Sequence, residues 1–130
     1  MAFVYRLNEI AERVAPAPYN RYAKAVFDHS IIEETPLSIG FFRLEPGQSG
    51  PKHLHKNEVE IYIIITGKGI VLLGEEEVEL HPGTVVYVPP QAQHQTFNTG
   101  SSDLEFYGVF SPGIDFTEIR TWPETVKREA

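Results

Sequence analysis

From Ser38 onward the chain is a succession of short runs rich in Val, Ile, Phe, Tyr and Thr, separated by turn residues. That spacing predicts an all-β sandwich or barrel. Strands are expected at 38–44, 60–65, 69–73, 77–80, 85–88, 94–98 and 105–110. The turns between them fall at Gly67-Lys68-Gly69, Gly74-Glu75-Glu76, Pro82-Gly83 and Pro89-Pro90. Side chains alternate along a strand, so Glu60, Tyr62, Ile64 and Thr66 share one face and Ile61, Ile63 and Ile65 the other. With Glu60 inward, three isoleucines point out and must be covered by the N-terminal segment or by a second copy of the chain. A homodimer is therefore expected.

The ends are patterned differently. Leu7, Ile10, Ala11 and Val14 have helical spacing, and Pro16 and Pro18 stop that helix after about two turns. The aromatic stretch 19–27 reads equally as strand or helix. A final turn of helix is expected between Pro123 and Ala130. The chain thus divides into an N-terminal extension (1–36) packing on the barrel or on a dimer partner, a barrel (37–112) and a C-terminal tail (113–130).

Composition narrows the function. A chain of 130 residues with 42% hydrophobic residues suits one globular domain with a real core. The longest apolar run, 61–65, is far too short for a membrane span. No basic-then-apolar signal pattern opens the chain, so a cytoplasmic location is expected. The absence of cysteine removes disulfides, thiolate catalysis and Cys-zinc sites together. A net charge of -7 repels phosphate backbones and anionic lipid. The expected partner is a small-molecule substrate, with neither nucleic acid nor membrane.

The chemistry is concentrated in two ordered blocks. One runs Gly47, His53, His55, Glu60, Gly67; the other runs Gly83, Pro89, His94, Asn98. Three imidazoles and a carboxylate are a donor set for a transition metal. His53 and His55 leave the same face of an extended segment. Glu60 lies an odd number of positions beyond His55, so the segment must break, and Asn57 is a natural turn residue. Glu58 shares parity with Glu60 and is the rival carboxylate. These donors suit an octahedral-capable ion with two positions left open.

The two blocks resemble the cupin pattern over roughly residues 37–112. Gln91 is the one departure, standing where the pattern usually has glycine. The resemblance implies a small antiparallel cupin barrel (a double-stranded β-helix, or jelly roll) with short extensions at both ends. It implies a divalent metal on His53, His55, Glu60 and His94, with Fe or Mn favoured and Zn, Ni, Co or Cu as alternatives. The stretch from Phe42 to Gly47 looks like that of oxalate decarboxylase-type cupins, where an arginine at the place of Arg43 reaches the pocket and holds a substrate carboxylate. By alternation Arg43 shares a face with Phe41 and Glu45, opposite Phe42 and Leu44. A solvent-facing arginine on an edge strand is the competing reading. Glu60, Arg43 and Tyr62 are the candidate catalytic residues, with Thr96 and Tyr107 as further candidate pocket walls.

Dioxygenase or decarboxylase chemistry on a small polar, carboxylate-bearing molecule is the leading expectation. A metal-dependent isomerase, epimerase or lyase on a sugar-like substrate is the first alternative. A non-enzymatic binding or sensing module is the second.

Overall fold

The strand carrying Glu60 organises the molecule. A computed structural model describes residues 3–125, in which Val59–Thr66 is extended with Glu60, Tyr62 and Ile64 buried. In chain order the strands are β1 (Arg13–Val14), β2 (Tyr22–Phe27), β3 (Ser38–Leu44), β4 (Val59–Thr66) and β5 (Gly69–Leu73). They continue with β6 (Glu76–Leu80), β7 (Val85–Val88), β8 (His94–Asn98) and β9 (Leu104–Ser111), followed by the short helix α1 (Thr117–Thr121). A large sheet has the order β1-β2-β3-β9-β4-β7 and a small one β6-β5-β8. All the pairings are antiparallel. Inward positions of both sheets form one apolar cluster, in which Leu44, Ile64, Val71, Leu80, Val88 and Leu104 are almost wholly buried. Each such side chain contributes about 1.5–3 kcal/mol by leaving water.

Strands β3 to β9 follow the alternation predicted from the sequence. The turn after β4 needs its glycine twice over. Gly67 has φ +84°, and a Cβ there would collide with the Asp103 carbonyl oxygen.

The N-terminal segment corrects the helical expectation. Only Leu7–Glu9 turns, as a 3-10 helix with no side-chain cap, and β1 is extended. A two-turn helix carries an unrepaid nucleation cost. The extended form instead pairs Arg13 with Ala23 and Val14 with Tyr22, and the Val14 N–H reaches the Pro123 carbonyl (2.9 Å). The stretch left open between strand and helix is strand, β2. At the other end the helix comes earlier than expected, as α1, whereas Glu124 lies extended against Arg13. The remainder of the expected terminal turn, 126–130, lies outside the described residues.

The C-terminal segment is tied across the barrel by a buried carboxylate. Asp28, wholly buried, accepts two bonds from the Arg120 guanidinium (both 3.0 Å) and one from the Phe116 N–H (2.9 Å). This holds Ile114, Phe116, Ile119 and Trp122 over one end of the barrel interior. Among the described residues no helix is long and apolar enough to cross a membrane.

On the outer face Ile61 lies opposite Tyr87 and Ile63 opposite Val85. Ile65, Val85 and Tyr87 are 43%, 63% and 60% exposed. The described N-terminal segment joins the sheet at β3, the far side from β7, and leaves this row uncovered.

Candidate metal centre

Backbone pairing brings the two histidine blocks together. His53 and His94 exchange both main-chain hydrogen bonds (3.0 and 2.8 Å), which pins the 51–55 segment to the start of β8. The chain then bends at Lys56-Asn57 and restarts as β4, with Glu60 in phase with Tyr62 and Ile64. That bend lets an odd spacing converge on one point.

The four predicted donors meet. One ligand atom from each of His53, His55, Glu60 and His94 lies within 4.8 Å of the others. Donors about 2.1 Å from a common ion lie at most about 4.2 Å apart, so a few tenths of an ångström of side-chain movement suffices. Glu60 Oε1 is 3.1 Å from His55 Nε2 and 3.2 Å from His94 Nε2. Glu58 instead accepts a bond from the Asn57 N–H, away from the group.

The surrounding hydrogen bonds also suit a metal. A carbonyl can only accept, so His53 Nδ1 donates to the Pro51 oxygen (2.8 Å) and His94 Nδ1 to the Ala92 oxygen (3.0 Å). Both rings therefore carry a proton on Nδ1, which leaves Nε2 as the nitrogen to meet a metal, and the His94 Nε2–H donates to Glu60 Oε1. Metal-binding histidines are oriented by this kind of second bond. Burial pushes the His53 pKa down to about 4, which favours the neutral imidazole a metal needs. Burial alone would raise Glu60, but its bonds to His55 and His94 hold it below the usual carboxylate value. Burial likewise opposes the charge on His94, and the Glu60 carboxylate more than restores it. Space for the carboxylate comes from β9, since a Cβ on Gly108 would lie 3.0 Å from Glu60 Oε2 and 2.9 Å from the Phe42 ring.

His53, His55 and Glu60 line a cavity of about 230 Å3 whose walls include Phe42, Phe106, Phe110 and Phe116. Tyr62 and Thr96 belong to it, and their hydroxyls bond each other (3.0 Å). Burial and the nearby Glu60 charge raise the Tyr62 pKa well above its ordinary value, so its phenol stays protonated. Tyr107 falls on the opposite face of β9 and packs edge-on against Phe41.

Arg43 does not face this cavity. Phe42 and Leu44 line it, so alternation sends Arg43 to the outer face of β3. There its guanidinium binds both Glu12 oxygens (3.0 and 2.9 Å) and Asp103 (3.1 Å), 3.8 Å above the Tyr22 ring. The expectation that it reaches substrate is corrected by that register. Asn98 serves the fold, since its side chain bonds the Leu44 and Ser102 carbonyls and the Gly100 N–H. Sequence reasoning passed over Arg21, which does line the cavity. It sits one residue before Tyr22, the register partner of Arg43, and so falls on the inner face. Gln91 has φ +66°, the left-handed conformation that explains a glycine at its place in the cupin pattern.

These features agree with the comparisons to known proteins. Residues 40–110 match the family described as Cupin domain, and the chain belongs to that family. It is 34% identical over 126 residues to a glucose-6-phosphate isomerase of Pyrococcus horikoshii, a match covering 85% of this chain but only 65% of that protein. An uncharacterized Streptomyces coelicolor protein is 33% identical, covering 83% of this chain and 94% of its own length. The crystal structure of a predicted oxalate decarboxylase from Thermotoga maritima superposes with a TM-score of 0.77 at 25% identity, covering 84% of this chain and 98% of that one.

Proposed function

We propose that this chain is a metal-dependent enzyme acting on a small polar, carboxylate-bearing molecule by dioxygenase or decarboxylase chemistry. The observation that carries the reading is the convergence of His53, His55, Glu60 and His94 beside a cavity sized for a small molecule. Iron or manganese is the favoured ion, with zinc, nickel, cobalt or copper as alternatives. Bound there, such an ion supplies Lewis acidity and, for iron or manganese, access to one-electron chemistry.

The chain's own residues do the rest. His53 presents a preoriented neutral nitrogen, His94 presents Nε2 once an ion displaces its proton, Glu60 supplies the negative charge, and Tyr62 offers a protonated phenol. The phenylalanine walls keep bulk water from the polar group. The cytoplasm is the proposed compartment, in keeping with a chain that has no cysteine. Elemental analysis, followed by oxygen uptake and carbon dioxide release with a panel of small carboxylates, tests the proposal. One Fe or Mn per chain is expected, with turnover of a carboxylate, and His55→Ala should remove both. Failure to hold any stoichiometric ion, as purified or after loading, overturns it.

The likeness to glucose-6-phosphate isomerases favours a second reading, an isomerase, epimerase or lyase on a sugar-like substrate. Oxygen-independent turnover of a sugar phosphate would decide for that reading. A binding or sensing module is the third, and would keep its ligand affinity when the metal alone is stripped.

A homodimer belongs to the same proposal. The two covers expected for the isoleucine row were the N-terminal segment and a second copy. The described part of the first lies at the other edge of the sheet, which favours the second. Sedimentation should give a dimer at micromolar concentration, and a monomer there would refute it.

A further inference from the structure

We infer that Arg21 is the residue that binds the anionic group of the substrate, and that this substrate is a small organic carboxylate with an apolar body. The inference rests on the metalloenzyme reading above and adds to it the residue that selects the ligand.

Arg21 is held inside the cavity without a protein partner for its charge. Among the described residues its guanidinium makes no hydrogen bond and no ion pair, and it lies over the Trp122 ring at 5.6 Å. Glu60 and Glu118 lend it favourable charge at longer range without bonding it. Arg21 is half-buried, and its unpaired nitrogens reach the open space of the cavity, where an anion can take up their donors. Its position relative to the metal donors is fixed by backbone. A Cβ on Gly50 would lie 3.6 Å from Arg21 Nη1, and Gly50 is tied to Thr96 through its N–H (2.9 Å), three residues before His53. The fork therefore opens into the same space as the imidazoles.

The walls decide which anion it is. A guanidinium matches carboxylate and phosphate equally well in geometry. Phe42, Phe106, Phe110, Phe116 and Trp122, however, make most of the wall apolar, and besides Glu60 only Asp115 and Glu118 bring carboxylates to it. The two hydroxyls present, on Tyr62 and Thr96, already bond each other. A polyol would lose its hydrogen bonds to water against such walls, whereas an alkyl or aryl body gains from them.

Trp122 is the chain's one tryptophan and lines the cavity, so its fluorescence reads occupancy directly. The full chain, with its metal content measured alongside, would be titrated with benzoate, benzamide, inorganic phosphate and glucose 6-phosphate. Benzoate should bind, with affinity weakened about tenfold or more in Arg21→Gln and by less in Arg21→Lys, while metal content stays unchanged. Benzamide should bind weakly and show no dependence on Arg21. Equal benzoate affinity in wild type and Arg21→Gln overturns the inference, as does benzamide binding as tightly as benzoate. Tighter, Arg21-dependent binding of glucose 6-phosphate or inorganic phosphate overturns the carboxylate assignment. Loss of metal stoichiometry in the wild type would sink the metalloenzyme reading instead, so the two failures are told apart.

Discussion

The two faces of the large sheet treat arginine in opposite ways. On the outer face Arg43 is saturated by Glu12 and Asp103 and stacked on Tyr22. On the inner face Arg21, beside the residue that pairs with Arg43, lies over Trp122 but has no hydrogen bond or ion pair among the described residues, and it opens into the cavity. A charge with its own counter-charges serves the fold, whereas one left open is available to a ligand. One step along a strand is enough to exchange these roles.

The largest stability effect should come from what closes the inner face. Asp28→Asn breaks the tether to Arg120 and should cost about 3 kcal/mol, reduced from the full buried-pair value because Arg120 is partly exposed. The same carboxylate makes a pH prediction. Burial would raise its pKa, but the bonds from Arg120, Ser30 and the Phe116 N–H outweigh this and hold it well below the unfolded value. Its contribution is therefore complete above the unfolded carboxyl pKa of about 4 and is lost as pH falls through the lower folded value. Urea titrations from pH 7 to 3 should show wild-type stability declining at the acid end, and Asp28→Asn should flatten that decline.

Arg43→Met sharpens the comparison next. It should lower stability by about 1–3 kcal/mol by leaving Glu12 and Asp103 unpaired, with metal content and benzoate affinity unchanged. Arg21→Gln should do the reverse, sparing stability and losing the ligand. If Arg43→Met abolished ligand binding at constant fold, the division between the faces would be wrong. The smallest effect is expected at Gln91, where glycine would remove the penalty of a left-handed backbone. Gln91→Gly should raise stability by up to about 1 kcal/mol in thermal or denaturant unfolding.

The metal donors were legible because the signals that mark them are local. Spacing within two short blocks, and the parity break at Asn57, do not depend on how distant strands pair. Strands β3 to β9 were legible for the same reason, since alternation and turn residues lie next to one another in the chain. The N-terminal region was not. Leu7, Ile10, Ala11 and Val14 carry a helical pattern, but β1 gains its hydrogen bonds from β2 and from Pro123, far away in sequence. Arg21 was missed for a related reason, because its face follows from the pairing of Tyr22 with Arg43 across the β2–β3 ladder. Arg43 stood open between two faces until Phe42 and Leu44 were seen to line the cavity.

In the proposed enzyme His53, His55, Glu60 and His94, which lie together, hold one metal ion. Calorimetric titration of the metal-stripped chain with Mn2+ or Fe2+ tests this most directly, with His55→Ala and Glu60→Gln as parallel samples. One ion per chain in the wild type, with binding weakened at least about tenfold in both variants, is the expected result. Binding that persists unchanged in both variants, or none at all in the wild type, would contradict it.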